Sequence, residues 1–178
     1  MKRGDLVFFY DDTLLARTIS LVETGKPNRK APAHVAIITL ITDDATYIME
    51  AQFGGVREVS ISIYAKAKKW YASMNGERDI EKGITWLYSQ VGEKYDTAQI
   101  VGIWMRGFWR LWGPWWYAKS RKVRNYLDSR QSFICSELVE KYAEITGGRL
   151  WPNAELSQVT PWDLMRSDFI TFYERGSI

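Results

Sequence analysis

The stretch HVAIITLITDDATYIMEA, residues 34–51, contains two apolar runs that are joined by a short polar turn. β-Branched residues dominate the first run, HVAIITLI (34–41), and this predicts a buried strand. The second run, TYIMEAQF (46–53), begins directly after the turn residues TDDA. Two such runs around a short polar turn predict a β-hairpin. An antiparallel sheet is therefore expected in the first part of the chain.

Further strands are predicted on both sides of this hairpin. GDLVFFY (4–10) and GGVREVSISIY (54–64) both carry apolar residues typical of strands. Between the first strand and the hairpin, TLLARTISLVETG (13–25) has helical spacing and ends at a glycine, and a basic loop (26–33) follows.

The second half of the chain predicts mostly helices. The segment 79–95 has helical periodicity, with a predicted apolar face formed by Ile80, Ile84, Leu87, Tyr88 and Val91. Another helix-like element begins near Asp96, and CSELVEKYAEITGG (135–148) predicts a helix that ends at a glycine pair. TPWDLMRSDFITFYE (160–174) predicts a short helix and a closing strand. Strands followed by helices and a last strand indicate an α+β fold, in one domain over residues 1–178.

Composition excludes several classes of protein. The 178 residues carry a formal net charge of only +3 and no recognised nucleic-acid motif, so we expect no nucleic-acid partner. With one cysteine and one histidine, neither a disulfide nor a Cys/His zinc site is expected, and we predict no metal and no cofactor. No apolar run reaches the roughly 20 residues of a membrane-spanning helix, and the first apolar stretch is too short for a signal peptide. Synthesis in the cytoplasm is therefore expected, and the final compartment is left open.

The lone cysteine, Cys135, stands at the start of a predicted helix. A helix N-terminus and a nearby imidazolium both stabilise a thiolate, so Cys135 is a candidate nucleophile. The alternative is a small buried apolar residue. His34, at the start of a strand, is the candidate base, and Glu50 is the candidate group to orient its ring. These two share a face of the hairpin only if its loop contains an odd number of residues.

Five short motifs resemble a known family. GDLVFF, HVAI, YIMEA and ICSELV, with VGEKYD (91–96) between the last two, are similar to the motifs of NlpC/P60 papain-like domains. Ordinary members have the cysteine before the histidine, whereas here His34 precedes Cys135. That order resembles the permuted branch, the YaeF/YiiX-like amidases, which includes the lecithin–retinol acyltransferase relatives. The C-terminal segment VTPWDLMRSDFITFY is also similar to the YiiX-like group.

This resemblance implies a circularly permuted papain-like fold, with an antiparallel sheet packed against the helix that bears the nucleophile. It implies that Cys135 is the nucleophile, His34 the general base and Glu50 the third member of a triad. Glu50 stands where ordinary members often have a second histidine. Tyr95 matches the family tyrosine beside the nucleophile and would contribute to substrate binding. The implied activity is hydrolysis of an amide bond, in a cell-wall peptide or a related amide, through an acyl-enzyme.

A segment rich in tryptophan and arginine, at about 102–124, falls outside these motifs. It has five tryptophans between Trp104 and Trp116, interleaved with basic residues. Such a composition suits a membrane surface, a lid that binds lipid or a platform for sugars, although the same residues could cover a core. Two alternatives to the amidase follow: a lipid-directed thiol acyl hydrolase or acyltransferase, and a binding module without catalysis. The partner is accordingly a peptide, an amide or an acylated substrate, with contact to a membrane surface through this segment.

Overall fold

The computed structural model describes six stretches of the chain: residues 1–10, 32–52, 54–95, 132–133, 135–156 and 159–176. Within them the strands are β1 (Leu6–Tyr10), β2 (His34–Ile41), β3 (Thr46–Gln52), β4 (Gly55–Ser60), β5 (Lys68–Met74), β6 (Lys94–Tyr95), β7 (Ser132–Phe133) and β8 (Ile170–Gly176). The helices are α1 (Ile80–Ser89), α2 (Cys135–Thr146) and α3 (Pro161–Met165), and a 3-10 helix covers Ile61–Tyr64.

Six of the strands form one antiparallel sheet in the order β4-β3-β2-β1-β5-β8. The two shortest strands, β6 and β7, pair in parallel with each other. Because β8 pairs with β5, the end of the described chain joins the sheet beside strands from its first half. The α+β class predicted from the order of elements is confirmed.

Apolar side chains cover both faces of the sheet, because alternate residues of a strand point to opposite faces. The larger core lies between one face and the helices, and includes Leu6, Phe8, Ile37, Met49, Cys135, Leu138 and Tyr142. The smaller core on the other face includes Val7, Phe9, Ala36, Ile38, Ile48 and Tyr71, with Tyr64 packed against it. The helix that begins with Cys135 therefore packs on the first face.

Three sequence predictions need correction. The strand predicted over 54–64 ends at Ser60, because the Ser60 side chain accepts a hydrogen bond from the Ser62 amide and starts the 3-10 helix. The helix predicted over 79–95 ends at Ser89, so Val91 lies beyond it and is exposed, and Tyr88 is exposed although it belongs to the helix. Strand β5 was not predicted, since KKWYASM begins with two lysines and its central residues alone are buried. By contrast, α2, α3 and β8 occupy the predicted segments.

A close contact between α1 and α2 depends on Gly83. A β-carbon at this position would lie 2.3 Å from Thr146 Cγ2 and 2.5 Å from Tyr142 Cε2. Both partners belong to α2, and Tyr142 is fully buried. The absence of a side chain at residue 83 thus sets how closely α1 approaches the helix that starts at Cys135.

We expect Gly83→Ala to destabilise the protein. The higher helix propensity of alanine would contribute about 1 kcal/mol in the opposite direction. Overpacking typically costs about 1–3 kcal/mol, and two contacts this short place the cost at the upper end of that range. The urea midpoint of unfolding should therefore fall. Thr85→Ala, at an exposed position of the same helix, is the control and should change the midpoint little. A midpoint for Gly83→Ala equal to or above that of the wild type would contradict the packing described.

Candidate active site

The register of the β2–β3 hairpin decides on which face His34 lies. Along the hairpin the pairing shifts by one residue, from Ile41–Thr46 and Leu40–Tyr47 to Ile38–Ile48 and Ile37–Met49. The turn itself contains residues 42–45, an even number, so the condition of an odd-length loop is not met by the turn. Thr39 is the extra residue of a β-bulge, and it changes the parity instead. As a result His34 and Glu50 share a face of the sheet.

His34 and Glu50 are in direct contact. His34 Nε2 lies 2.9 Å from Glu50 Oε2. The Glu50 side chain is completely buried, and the His34 side chain is only 13% exposed. A carboxylate can only accept hydrogen bonds, so Nε2 carries the proton and Nδ1 is left for another partner. The ring of His34 is also stacked on Phe9, with the ring centroids 5.7 Å apart.

Cys135 reaches the same histidine from the helix side. It is the first residue of α2 and is 7% exposed. It is close enough to His34 for its charge and a hydrogen bond between the two side chains to raise the pKa of the ring. His34 is the first residue of β2. At this terminal position its ring can contact both α2 and the neighbouring strand β3. The three residues singled out from the sequence, Cys135, His34 and Glu50, are thus brought together.

The pKa of His34 is raised to about 9. Burial on its own would lower this pKa, because it disfavours the charged ring. The charge of Cys135 and the hydrogen bond to it, together with the hydrogen bond and charge of Glu50, outweigh burial. His34 is therefore an imidazolium at neutral pH, with an acceptor on each side.

Two residues that the sequence did not single out complete the surroundings of Glu50. Arg57 donates from Nε to Glu50 Oε1 at 3.0 Å, and the Tyr64 hydroxyl donates to Oε2 at 2.6 Å. Burial would raise the pKa of Glu50, but hydrogen bonds from His34, Tyr64 and Arg57 hold it below its usual value. Arg57 could have been found by pairing the two strands outward from Gln52 and Gly55, since this register places it opposite Glu50. Tyr64 lies on the unpredicted 3-10 helix and had no such signal.

Tyr95 belongs to β6, whose backbone pairs with β7 so that Tyr95 is opposite Phe133. This pairing places the Tyr95 backbone beside the strand that leads into Cys135. The side chain of Tyr95 and the Trp/Arg segment at about 102–124 lie outside the described residues, as do the helices predicted at 13–25 and near Asp96.

Neither a metal cluster nor a membrane span is found in the part of the chain that the structure describes. No group of three or more His, Cys, Asp or Glu side chains there could hold a metal ion. No helix among these residues has the length and apolar character needed to cross a bilayer.

Comparison with known proteins gives one informative similarity. No protein-family model matches the sequence, and no significant match occurs among curated proteins. Among solved structures, the fold is similar to the crystal structure of YiiX from Escherichia coli O157:H7, described as a metalloprotein and assigned to DUF1105. The TM-score is 0.63 at 15% identity, and the alignment covers 98% of this chain and 97% of that one. At this identity the similarity concerns the fold alone. The sequence motifs resemble the same YiiX-like group.

The protonation of His34 can be measured directly, because it is the only histidine in the chain. In a protein labelled with 13C-histidine, we expect the ring signal to titrate with a midpoint of about 9. Cys135→Ala removes a neighbouring charge and a hydrogen bond while the ring stays largely buried, so the midpoint should fall. Glu50→Gln should lower it as well. A wild-type midpoint near the ordinary value of about 6.5, unchanged by Cys135→Ala, would contradict this arrangement.

Proposed function

We propose that this protein is a cysteine hydrolase with a permuted papain-like fold that cleaves an amide bond through a Cys135–His34–Glu50 triad. The observation that carries the proposal is the position of His34, whose Nε2 lies 2.9 Å from Glu50 Oε2 and whose pKa is raised by the neighbouring Cys135. A nucleophile, a base within hydrogen-bond reach and a third group that orients the base form the usual arrangement for nucleophilic catalysis. A binding module would have no need for an imidazolium held between a thiol and a buried carboxylate.

In the first half of the reaction, the Cys135 thiolate attacks the carbonyl carbon of the amide. The resulting oxyanion accepts hydrogen bonds from backbone N–H groups at the start of α2, because the first N–H groups of a helix have no partner within it. His34 gives its Nδ1 proton to the departing nitrogen, and the C–N bond breaks. An amine leaves, and the acyl group remains on Cys135 as a thioester.

In the second half, a water molecule attacks the thioester. His34, now neutral, takes a proton from this water at Nδ1 while Nε2–H stays bonded to Glu50. The C–S bond breaks, a carboxylic acid is released, and the Cys135 thiolate and the His34 imidazolium are regenerated. The triad thus needs no group beyond its own three side chains and the backbone of α2.

The substrate class follows from the resemblance of the motifs. Amide hydrolysis is favoured over acyl transfer because the sequence lacks the second histidine and the Asn-Cys-Glu-His-like nucleophile motif of the acyltransferase branch. A peptide amide of the bacterial cell wall, or a related amide, is the proposed substrate. Tyr95, whose backbone lies next to β7, is proposed to contact this substrate.

Selective alkylation provides a first test, since Cys135 is the only thiol. The thiolate is the nucleophilic form of cysteine, so a thiolate stabilised by a neighbouring imidazolium should react rapidly with iodoacetamide. We expect His34→Ala to slow the reaction, because it removes the imidazolium. Urea-unfolded wild type supplies the reference rate. A folded wild type that reacts no faster than this reference would refute the proposed ion pair.

Hydrolysis itself is tested with a panel of cell-wall peptides and a matched set of acyl esters, with products identified by mass spectrometry. We expect amine release from the peptides and a thioester adduct on Cys135, and Cys135→Ala should abolish both while it keeps the thermal midpoint. Because the raised pKa of His34 keeps the ring protonated up to about pH 9, amide hydrolysis should fall as the pH rises through that value. Cleavage of the esters alone would favour the lipid-directed alternative, and equal turnover by Cys135→Ala would rule out the mechanism.

A further inference from the structure

Glu50 has more partners than its contact with His34 requires. Arg57 lies directly opposite Glu50 in the β3–β4 ladder. Its Nε and Nη2 atoms lie 3.0 and 2.8 Å from Oε1. The hydroxyl of Tyr64 lies 2.6 Å from Oε2, the same oxygen that contacts His34. Both carboxylate oxygens are therefore held by groups outside the triad.

We propose that Arg57 and Tyr64 are positioning residues that keep the buried Glu50 charged and aimed at His34. This inference rests on the proposed function for its meaning in catalysis. Its structural basis is the set of contacts around Glu50, which can be tested without a substrate.

The first step is the cost of burying the Glu50 carboxylate. Glu50 is 0% exposed, and removing a carboxylate from water costs several kcal/mol even after the protein relaxes. Such a group is either protonated or surrounded by donors. Glu50 has the second arrangement: its two oxygens receive His34 and Tyr64 on one side and two nitrogens of Arg57 on the other, which fills about four lone-pair sites. The donors thus replace the water that the carboxylate has lost.

The second step is that the two positioning residues contact different oxygens of Glu50. Arg57 contributes the full charge and takes only Oε1, and because its side chain is 46% exposed, its own charge remains hydrated. Tyr64 contributes a neutral donor and shares Oε2 with His34. Arg57 therefore stabilises the charge of Glu50, whereas Tyr64 fixes the direction of the oxygen that His34 uses.

The proton of the Tyr64 hydroxyl has a defined direction. Gln52 Nε2 donates to the Tyr64 oxygen, so this oxygen directs its own proton to Glu50. Burial and the neighbouring carboxylate raise the pKa of Tyr64, which keeps the hydroxyl protonated and able to donate. The ring of Tyr64 packs 4.4 Å from that of Phe9, measured between centroids, and Phe9 stacks on His34. Tyr64 is thus fixed by packing at one end and by hydrogen bonds at the other.

The 3-10 helix is what makes this contact available. In a continuous strand, Tyr64 would lie about 3.3 Å per residue beyond Ser60 along the edge of the sheet, away from Glu50. Ser60 pairs with Tyr47, near the start of β3, so further extension would lead past the end of that strand. The turn of the 3-10 helix at Ile61–Tyr64 instead returns the tyrosine to Glu50.

The acid sensitivity of the site follows from the groups that face it. His34 meets the charges of Glu50 from β3 and Cys135 from α2. Glu50 meets His34 from β2, Arg57 from β4 and Tyr64 from the 3-10 helix. If Glu50 is protonated, it no longer offers His34 a charged acceptor. Whatever holds the pKa of Glu50 low therefore sets the pH below which His34 loses this charged acceptor.

The test is an acid titration of the His34 ring signal, since this single signal senses the charge on Glu50. The change in the signal when Glu50 is protonated is called the acid step. In the wild type we expect the acid step below about pH 4.5, because the pKa of Glu50 lies below its ordinary value. Arg57→Gln should move this step upward by about one pH unit or more, a tenfold change in proton concentration. Tyr64→Phe should move it in the same direction by less, because it removes a donor and no charge. Arg57→Lys should fall between the wild type and Arg57→Gln, since it keeps the charge but cannot supply both nitrogens.

A matched control exists in the same chain. Glu140 is also 0% exposed and accepts a hydrogen bond from Arg149 Nε at 3.0 Å. Arg149→Gln therefore removes an arginine from a buried glutamate that does not contact His34. We expect it to lower the urea midpoint but to leave the acid step of His34 in place. A shift in this control as large as that in Arg57→Gln would overturn the proposal, because the shift would then report general destabilisation.

Two results separate this inference from the proposed function. If Tyr64→Phe and Arg57→Gln both keep the wild-type acid step, the positioning role is wrong, whether or not the protein hydrolyses amides. If the wild type cleaves none of the substrates and Cys135 reacts slowly, the proposed hydrolase function is wrong. The titrations then still show whether Arg57 and Tyr64 hold Glu50 in its charged form. If Arg57→Gln fails to fold, Tyr64→Phe and Arg57→Lys test the positioning role instead. An unchanged acid step in both variants would overturn that role.

Discussion

One extra residue in β2 determines whether His34 and Glu50 can meet. Side chains alternate across a strand, so a regular hairpin with this four-residue turn would place the two on opposite faces of the sheet. The bulge at Thr39 moves the first half of β2 by one position. Thr39 is itself held in place, since it is 1% exposed and its hydroxyl donates to Glu58 at 2.6 Å. Every contact of the site then follows from a register that a single buried threonine stabilises.

The bulge also explains why the site is built across two faces. Cys135 packs with the larger core, whereas His34 and Glu50 belong to the face of the smaller core. A histidine in the middle of β2 would be confined to one of these faces. At the first position of the strand, the His34 ring can reach the thiol of α2 without leaving Glu50. The placement of a base at the end of a strand is therefore a geometric requirement of this architecture.

The sequence predicted the parts of the site that depend on local pattern. A cysteine at the start of a helix and a histidine at the start of a strand are both visible in the order of residues, and the structure places them there. The parity of the hairpin was not predictable, because the run HVAIITLI shows no break at Thr39. Tyr64 was assigned to a strand because SISIY alternates as a strand does, while the Ser60 side chain that turns the chain carries no strong signal.

The errors in the predicted burial of side chains also came from reading local pattern alone. Ile84 and Leu87 were assigned to the apolar face of α1, and both are buried. Val91 was assigned from the same spacing, but the helix ends at Ser89 and Gly92 has a φ of 89°. Tyr88 is inside the helix and still exposed, so periodicity alone gives neither the end of a helix nor the edge of its buried face. In the same way, the sequence did not single out Arg57, and only the partner across the ladder reveals its contact with a buried carboxylate.

The two partners of His34 differ in one respect that matters for a two-step reaction. The charge of Glu50 is present throughout, whereas the charge of Cys135 disappears when the sulfur becomes a thioester. Because the charge of Cys135 helps to raise the pKa of His34, acylation must lower that pKa, and burial then favours the neutral ring. In the proposed mechanism the same histidine is thus an acid while the thiolate is free and a base once the sulfur is acylated. Glu50 keeps the proton on Nε2 in both states, so that Nδ1 alone changes its role. A buried and permanently charged Glu50 is what makes this alternation possible, which accounts for the number of donors that surround it.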